Sequence, residues 1–230
     1  PSAVVALSDY DQANNDFQTN FTLRYNANDW LTIKQVMSYQ LQNSKRMEFV
    51  PYTAIGADWL DTENNSSSER NSTGTLVNAQ TRINFSPIKN SRHSLSGMVM
   101  FEIAQDKDEF IQTSAGNGPS TVITDPASSP MRTGLNSGSS VVNTIGVLEN
   151  LHYKFLDRHL FQLNMRTDAS SRFGANSRWG SFPSISYGWR FSSEPFLESW
   201  TFLDDSKFRV SYGLSGNSDA RAYDRHALYA

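Results

Sequence analysis

The sequence predicts an all-β protein, an antiparallel up-and-down sheet of the transmembrane β-barrel kind. Three observations carry that expectation. Apolar and polar residues alternate with period two in segment after segment, short links alternate with long polar ones, and the alternating segments exceed the roughly 5–6 residues of ordinary globular strands. About 9–11 tilted residues are what a strand needs to cross hydrocarbon.

The elements follow in chain order. PSAVVALSDY is read as an opening strand, and FQTNFTLRYN sets Phe17, Phe21, Leu23 and Tyr25 against Gln18, Asn20, Thr22 and Arg24. Across a turn at 26–29, WLTIKQVMSYQL puts Leu31, Ile33, Met37, Tyr39 and Leu41 on one face, which makes a hairpin. TLVNAQTRINF and SLSGMVMFEI form the next pair, joined by PIKNSRH with its turn residues Pro87 and Asn90. IGVLENLHYKF and HLFQLNMRT follow across Leu156–Arg158, then SISYGWRF and KFRVSYGL, for about eight or nine strands in all.

Residues 61–74 contain no aliphatic or aromatic side chain, and 112–140 hold Pro119, Pro126 and Pro130, so both are expected to be long polar loops. Short turns at one end and long loops at the other are the outer-membrane pattern. Arg24, Lys34, Arg82, Glu102, Arg166, Arg190 and Arg209 fall on the face away from the apolar set, and Trp30, Phe85, Tyr153, Phe155, Trp179 and Phe182 stand near strand ends, where interfacial aromatics gather. Glu149 is the exception. It falls on the apolar side, which implies either a bulge that switches the faces or another register.

Composition excludes several classes. Aromatics at 12%, with 14 Phe, 9 Tyr and 5 Trp, are too many for a disordered tail. A net charge of -3 with scattered Lys and Arg gives no nucleic-acid stripe. The absence of cysteine removes disulfides and thiol chemistry. No apolar run is long enough for a membrane-spanning helix, which leaves a membrane β-barrel open.

From Leu151 to Asn217 the order of motifs is specific: a Tyr-containing strand and tight turn, RTDASSRFG, RWG, FPS, GWR, EPF and a strand ending SYGLSGN. This stretch resembles the TonB-dependent outer-membrane transporters of the SusC/RagA type. Asp168-Ala169-Ser170-Ser171 departs from the usual Asp-Gly-Ser-Ser of that family. The resemblance implies that residues 1–230 are part of a single β-barrel domain of about 22 strands, with the plug domain, TonB box and C-terminal strands outside this sequence. It also implies import of oligosaccharides or peptides across the outer membrane of a Bacteroidota-like bacterium, a SusD-like lipoprotein over the mouth, and the TonB-ExbB-ExbD complex as energy source. The rival readings are a small structural or adhesive outer-membrane barrel and a soluble secreted glycan-binding β-sandwich.

The residues suggest no enzyme, metal site or cofactor. His93, His152, His159 and His226 lack zincin spacing, Gly116-Asn117-Gly118 is not a dinucleotide loop, and no G-x-S-x-G elbow occurs. The group Asp106, Asp108 and Glu109 and the pair Asp204-Asp205 read as turn carboxylates, and the sequon at Asn71 as a product of a Ser/Asn-rich stretch. Arg166, Asp168, Arg172 and Arg178 are the candidate site residues. They border a loop at the expected outer mouth, where they would contact substrate or lid protein, or form a charge-paired rim that holds the loop, which is the favoured reading.

Overall fold

The computed structural model describes residues 7–56, 62–174, 178–197 and 205–216. Eight strands occur among them: β1 (Asp9–Asn28), β2 (Leu31–Val50), β3 (Ser66–Lys89), β4 (His93–Gly116), β5 (Met131–Phe155), β6 (His159–Ser170), β7 (Trp179–Trp189) and β8 (Phe208–Gly213). They make one sheet in the order β1-β2-β3-β4-β5-β6-β7-β8, each strand beside its sequence neighbours. The pairings from β5 to β8 are antiparallel.

That topology corrects the expected fold class. A transmembrane β-barrel abolishes its edges by bonding its last strand to its first. Among the described residues β8 pairs with β7 alone, its six residues facing no partner on the other side, and β1 forms the opposite edge with 20 residues. The sheet is open. Alternation reports that a strand has two unlike faces; it carries no information on whether the sheet closes.

Strand lengths also need correction. β3 begins at Ser66 and so takes up most of the expected loop 61–74, and the expected loop 112–140 shrinks to the stretch between Gly116 and Met131. Polarity misled there, because a strand bonded on both sides needs no apolar side chains to persist. The opening strand expected at 1–10 falls mostly outside the described residues; β1 starts at Asp9.

The β5–β6 register runs unbroken from Thr144↔Ser170 to Phe155↔His159. No bulge lies at Glu149 on its β6 side. It opposes Met165, which opposes Pro183 on β7, so this carboxylate lies in the apolar row and is exposed. Pro183 is tolerated because its C=O accepts from the Leu214 N–H (3.0 Å), which shows that its backbone edge faces β8 just where β8 ends. At the β5–β6 turn, Leu156 (φ 53°) and Asp157 (φ 55°) are consecutive left-handed residues, and the Arg158 N–H donates to the Phe155 C=O (3.1 Å). Positive φ at both central positions matches the strand twist in tight hairpins.

Two compact units partition the sheet. The first comprises the described residues of Pro1–Thr19, Tyr39–Leu76 and Asp106–Val141. Its interior is small and partly polar: Phe49, Ala54 and Ala115 are buried beside Asn65, which is 1% exposed. Asn65 Oδ1 accepts from the Tyr52 N–H (2.9 Å) and Asn65 Nδ2 donates to the Gly118 C=O (3.1 Å), so one side chain ties two connecting segments together. On the surface of this unit the Arg70 guanidinium lies over the Phe110 ring, 3.8 Å from its centroid.

The second unit comprises the described residues of Asn20–Ser38, Val77–Gln105 and Val142–Ala230. At its short-turn end the rings of His93, Tyr153, Phe155, His159, Phe161 and Tyr187 form a contiguous set with centroids 5.0–6.2 Å apart. His93 Nδ1 and His159 Nδ1 are hydrogen-bonded to the hydroxyls of Tyr153 (2.7 Å) and Tyr187 (2.9 Å). Gly97 is required by close approach: a Cβ there would lie 2.5 Å from Phe85 Cζ and 2.8 Å from the Asn150 carbonyl oxygen.

Candidate functional site on the polar face

Alternation gives the second unit two opposite surfaces. One carries large apolar side chains left open: Phe21, Leu23 and Tyr25 of β1, Val77 of β3, Phe101 and Ile103 of β4, Leu163 of β6, Ile185 of β7, and Val210 and Tyr212 of β8 are all exposed. Tyr212, at 73%, is uncovered. In the first unit the odd-numbered positions of β1 to β4 mix exposed Phe17, Tyr39 and Ile111 with Asn43, Lys45, Glu69, Asn71, Thr73, Lys107 and Glu109.

The reverse face holds a hydrogen-bonded polar set. Asn78 and Gln80 of β3 both donate to Glu102 Oε1 of β4, at 2.7 and 2.8 Å. On β6, Arg166 Nε donates to Asp168 Oδ2 at 2.6 Å. Asp168 opposes Gly146, and a Cβ on Gly146 would lie 3.0 Å from Asp168 Oδ1 and 4.0 Å from Glu102 Oε2, so the two carboxylates share this face. Farther along, Asn150 bonds Asn164, and Asn164 donates to Ser184 Oγ (3.1 Å). The arrangement presents amide, carboxylate and guanidinium groups suited to hydrogen-bonding a hydrated solute. Among the described residues no group of three or more His, Asp or Glu could hold a metal ion.

The four candidate residues are thus divided. Arg166 and Asp168 lie inside β6 and form an ion pair, Arg166 within the expected strand and Asp168 one residue past its expected end. Arg172 lies in the turn beyond, its N–H donating to Ser170 Oγ (3.3 Å) and its Nε buried without a hydrogen bond. Arg178 is exposed, and its C=O accepts from the Ser170 N–H (3.3 Å). Sequence reasoning placed Glu102 on the polar face, in a pair with the strand that carries Asn78 and Gln80, but did not bring them to β6. The missing signal was the register across β4, β5 and β6.

A second polar group lies between β7 and β8. Glu194, buried, accepts from Trp189 Nε1 (2.8 Å) and from Arg158 Nη1 (2.9 Å). The Trp189 bond first, then the Arg158 bond and charge, hold its carboxyl below the usual range against the opposing effect of burial.

No protein-family model matches the chain. Among curated proteins, TonB-dependent receptor P39 of Formosa agariphila is 28% identical over 211 residues, covering 86% of this chain and 19% of the receptor. TonB-dependent receptor SusC of Bacteroides thetaiotaomicron is 44% identical over 69 residues, or 30% of this chain and 7% of the receptor. The chain is homologous to TonB-dependent receptors. The structure of the RagAB peptide transporter shares its fold, with a TM-score of 0.87 at 17% identity over 97% of this chain and 25% of that one. The chain therefore spans about a fifth of the curated receptor that it matches most fully in this pair and a quarter of the solved chain. The homology is to TonB-dependent receptors, a family of transport proteins and not of enzymes, as expected from the sequence.

Proposed function

We propose that the chain is a segment of a longer TonB-dependent receptor that imports large nutrients, oligosaccharides or peptides, across the bacterial outer membrane. The observation that carries this reading, beyond the homology, is the exposed apolar face of the second unit. An uncovered row containing Leu23, Ile185, Val210 and Tyr212 is far more apolar than a water-facing sheet surface, and lipid hydrocarbon is a neighbour that suits it. The reverse face, with Glu102, Asn78, Gln80, Arg166 and Asp168, offers a passing solute hydrogen bonds without bond chemistry. In this reading a SusD-like lipoprotein covers the entrance and TonB-ExbB-ExbD supplies the energy. Arg166 and Asp168 brace the rim, while Arg172 and Arg178 meet substrate or lid.

The test compares Val210→Arg with Ser211→Arg in the full-length receptor. Arg at a lipid-facing position costs up to about 2–4 kcal/mol at mid-depth. Val210→Arg should lower the heat-modifiable folded fraction in outer-membrane extracts and nutrient uptake with it, while Ser211→Arg keeps both. Equal accumulation of the two variants would remove the lipid contact from the proposal.

The open sheet favours a second reading, a secreted glycan-binding β protein working in water. Unpaired backbone groups along the β1 and β8 edges are expensive in hydrocarbon and solvated in water. Recovery of the full-length protein in the aqueous fraction without detergent would select that reading.

A further inference from the structure

The cations of the second unit are unevenly partnered. Arg158 pairs with Glu194 (2.9 Å), Arg166 with Asp168 (2.6 Å) and Arg190 with Asp205 (3.4 Å). Lys154, Lys207 and Arg209 have no ion pair among the described residues, yet all three line one cavity of about 170 Å³. The register explains their meeting. Lys154 opposes Leu160, Leu160 opposes Gly188 and Gly188 opposes Arg209, a single row across β5, β6, β7 and β8. The next row places His152 opposite Gln162, Gln162 opposite Ser186 and Ser186 opposite Ser211 on the same polar face.

Gly188 leaves the space. A Cβ at that position would lie 2.9 Å from Lys207 Cε, so the lysine stem passes over the sheet at this glycine. Among the described residues no carboxylate lines the cavity, and Ser186, which also lines it, is buried. All three cations are exposed, and an anion placed among them would offset their mutual repulsion.

We propose that Lys154, Lys207 and Arg209, with His152, Gln162 and Ser186 beside them, form an oxyanion site that takes one carboxylate or phosphate group. Guanidinium and ammonium groups bind such oxygens by charge-assisted hydrogen bonds. The anion comes either from solution or from a carboxylate on another segment of the full-length receptor. The site does not depend on what the receptor imports.

The experiment is thermal unfolding of the detergent-purified full-length receptor at fixed ionic strength in chloride, acetate or inorganic phosphate, for wild type, Arg209→Gln and Lys154→Gln. If acetate or phosphate raises the wild-type Tm by about 2 °C or more over chloride and both substitutions abolish the increment, the site takes a soluble anion. If no increment appears but both substitutions lower Tm at low salt, and 0.5 M chloride, roughly a 4 Å screening length, erases the loss, a carboxylate of the receptor fills it. The proposal is overturned if an increment survives the substitutions, or if without an increment the substitutions raise Tm, leave it unchanged, or lower it independently of salt.

Discussion

Replacing Asn65 with alanine isolates the buried knot of the first unit. Asn65 is 1% exposed and its amide serves two backbone groups, accepting from the Tyr52 N–H at 2.9 Å and donating to the Gly118 C=O at 3.1 Å. Removing it strands both partners. An orphaned buried polar group costs about 1–3 kcal/mol, and because the Tyr52 contact is only half-buried the sum is about 2–4 kcal/mol. Asn65→Asp keeps the acceptor for Tyr52 but turns a carboxylate toward a carbonyl, so it should be at least as damaging. Urea unfolding gives the total, and hydrogen exchange at the Tyr52 amide locates it: about 2 kcal/mol corresponds to exchange faster by roughly 30-fold. A loss below about 0.5 kcal/mol with Tyr52 still protected would refute the reasoning.

Glu194 predicts a pH dependence. Its carboxyl titrates below the ordinary carboxylate range when folded, so its stabilising contribution is complete above the unfolded value of about 4.3 and is lost as pH falls through the lower folded value. The denaturation midpoint of Glu194→Gln should lie below that of the parent at pH 7 and converge with it in acid; a constant gap would contradict this. At the β5–β6 turn, replacing Leu156 and Asp157 by Asn-Gly suits two positive φ angles, and the denaturant midpoint should rise by the equivalent of about 0.5–1 kcal/mol. A fall would show that the Leu156 side chain contributes more than its backbone strain costs.

Alternation made much of the sheet legible. Phe21, Leu23 and Tyr25, or Ile185, Tyr187 and Trp189, share a face because a pleated strand admits no other arrangement. Strand ends were poorly legible, since Ser66 to Gly74 has nothing apolar yet is held in the ladder by neighbours that composition cannot show. Openness and register were not legible at all. Backbone pairing decides both, and for that reason Glu149 suggested a bulge that is absent on its β6 side and Glu102 was not joined to the residues around Arg166. The motif residues Arg166 and Asp168 were found, but the strand that contains them ran past the apolar residues that marked it.

The nearest-neighbour order of the strands bears on how such a chain can diversify. Among the described strands every pairing joins sequence neighbours, which keeps the contacts within this sheet local. Doubling the part of the Gly116–Met131 connection that lies beyond the Asn65 contact to Gly118 adds only about 0.6 kcal/mol of closure entropy. Selection can rewrite those connections wherever they leave the Asn65 contacts intact, and the hairpins beneath them keep their pairing.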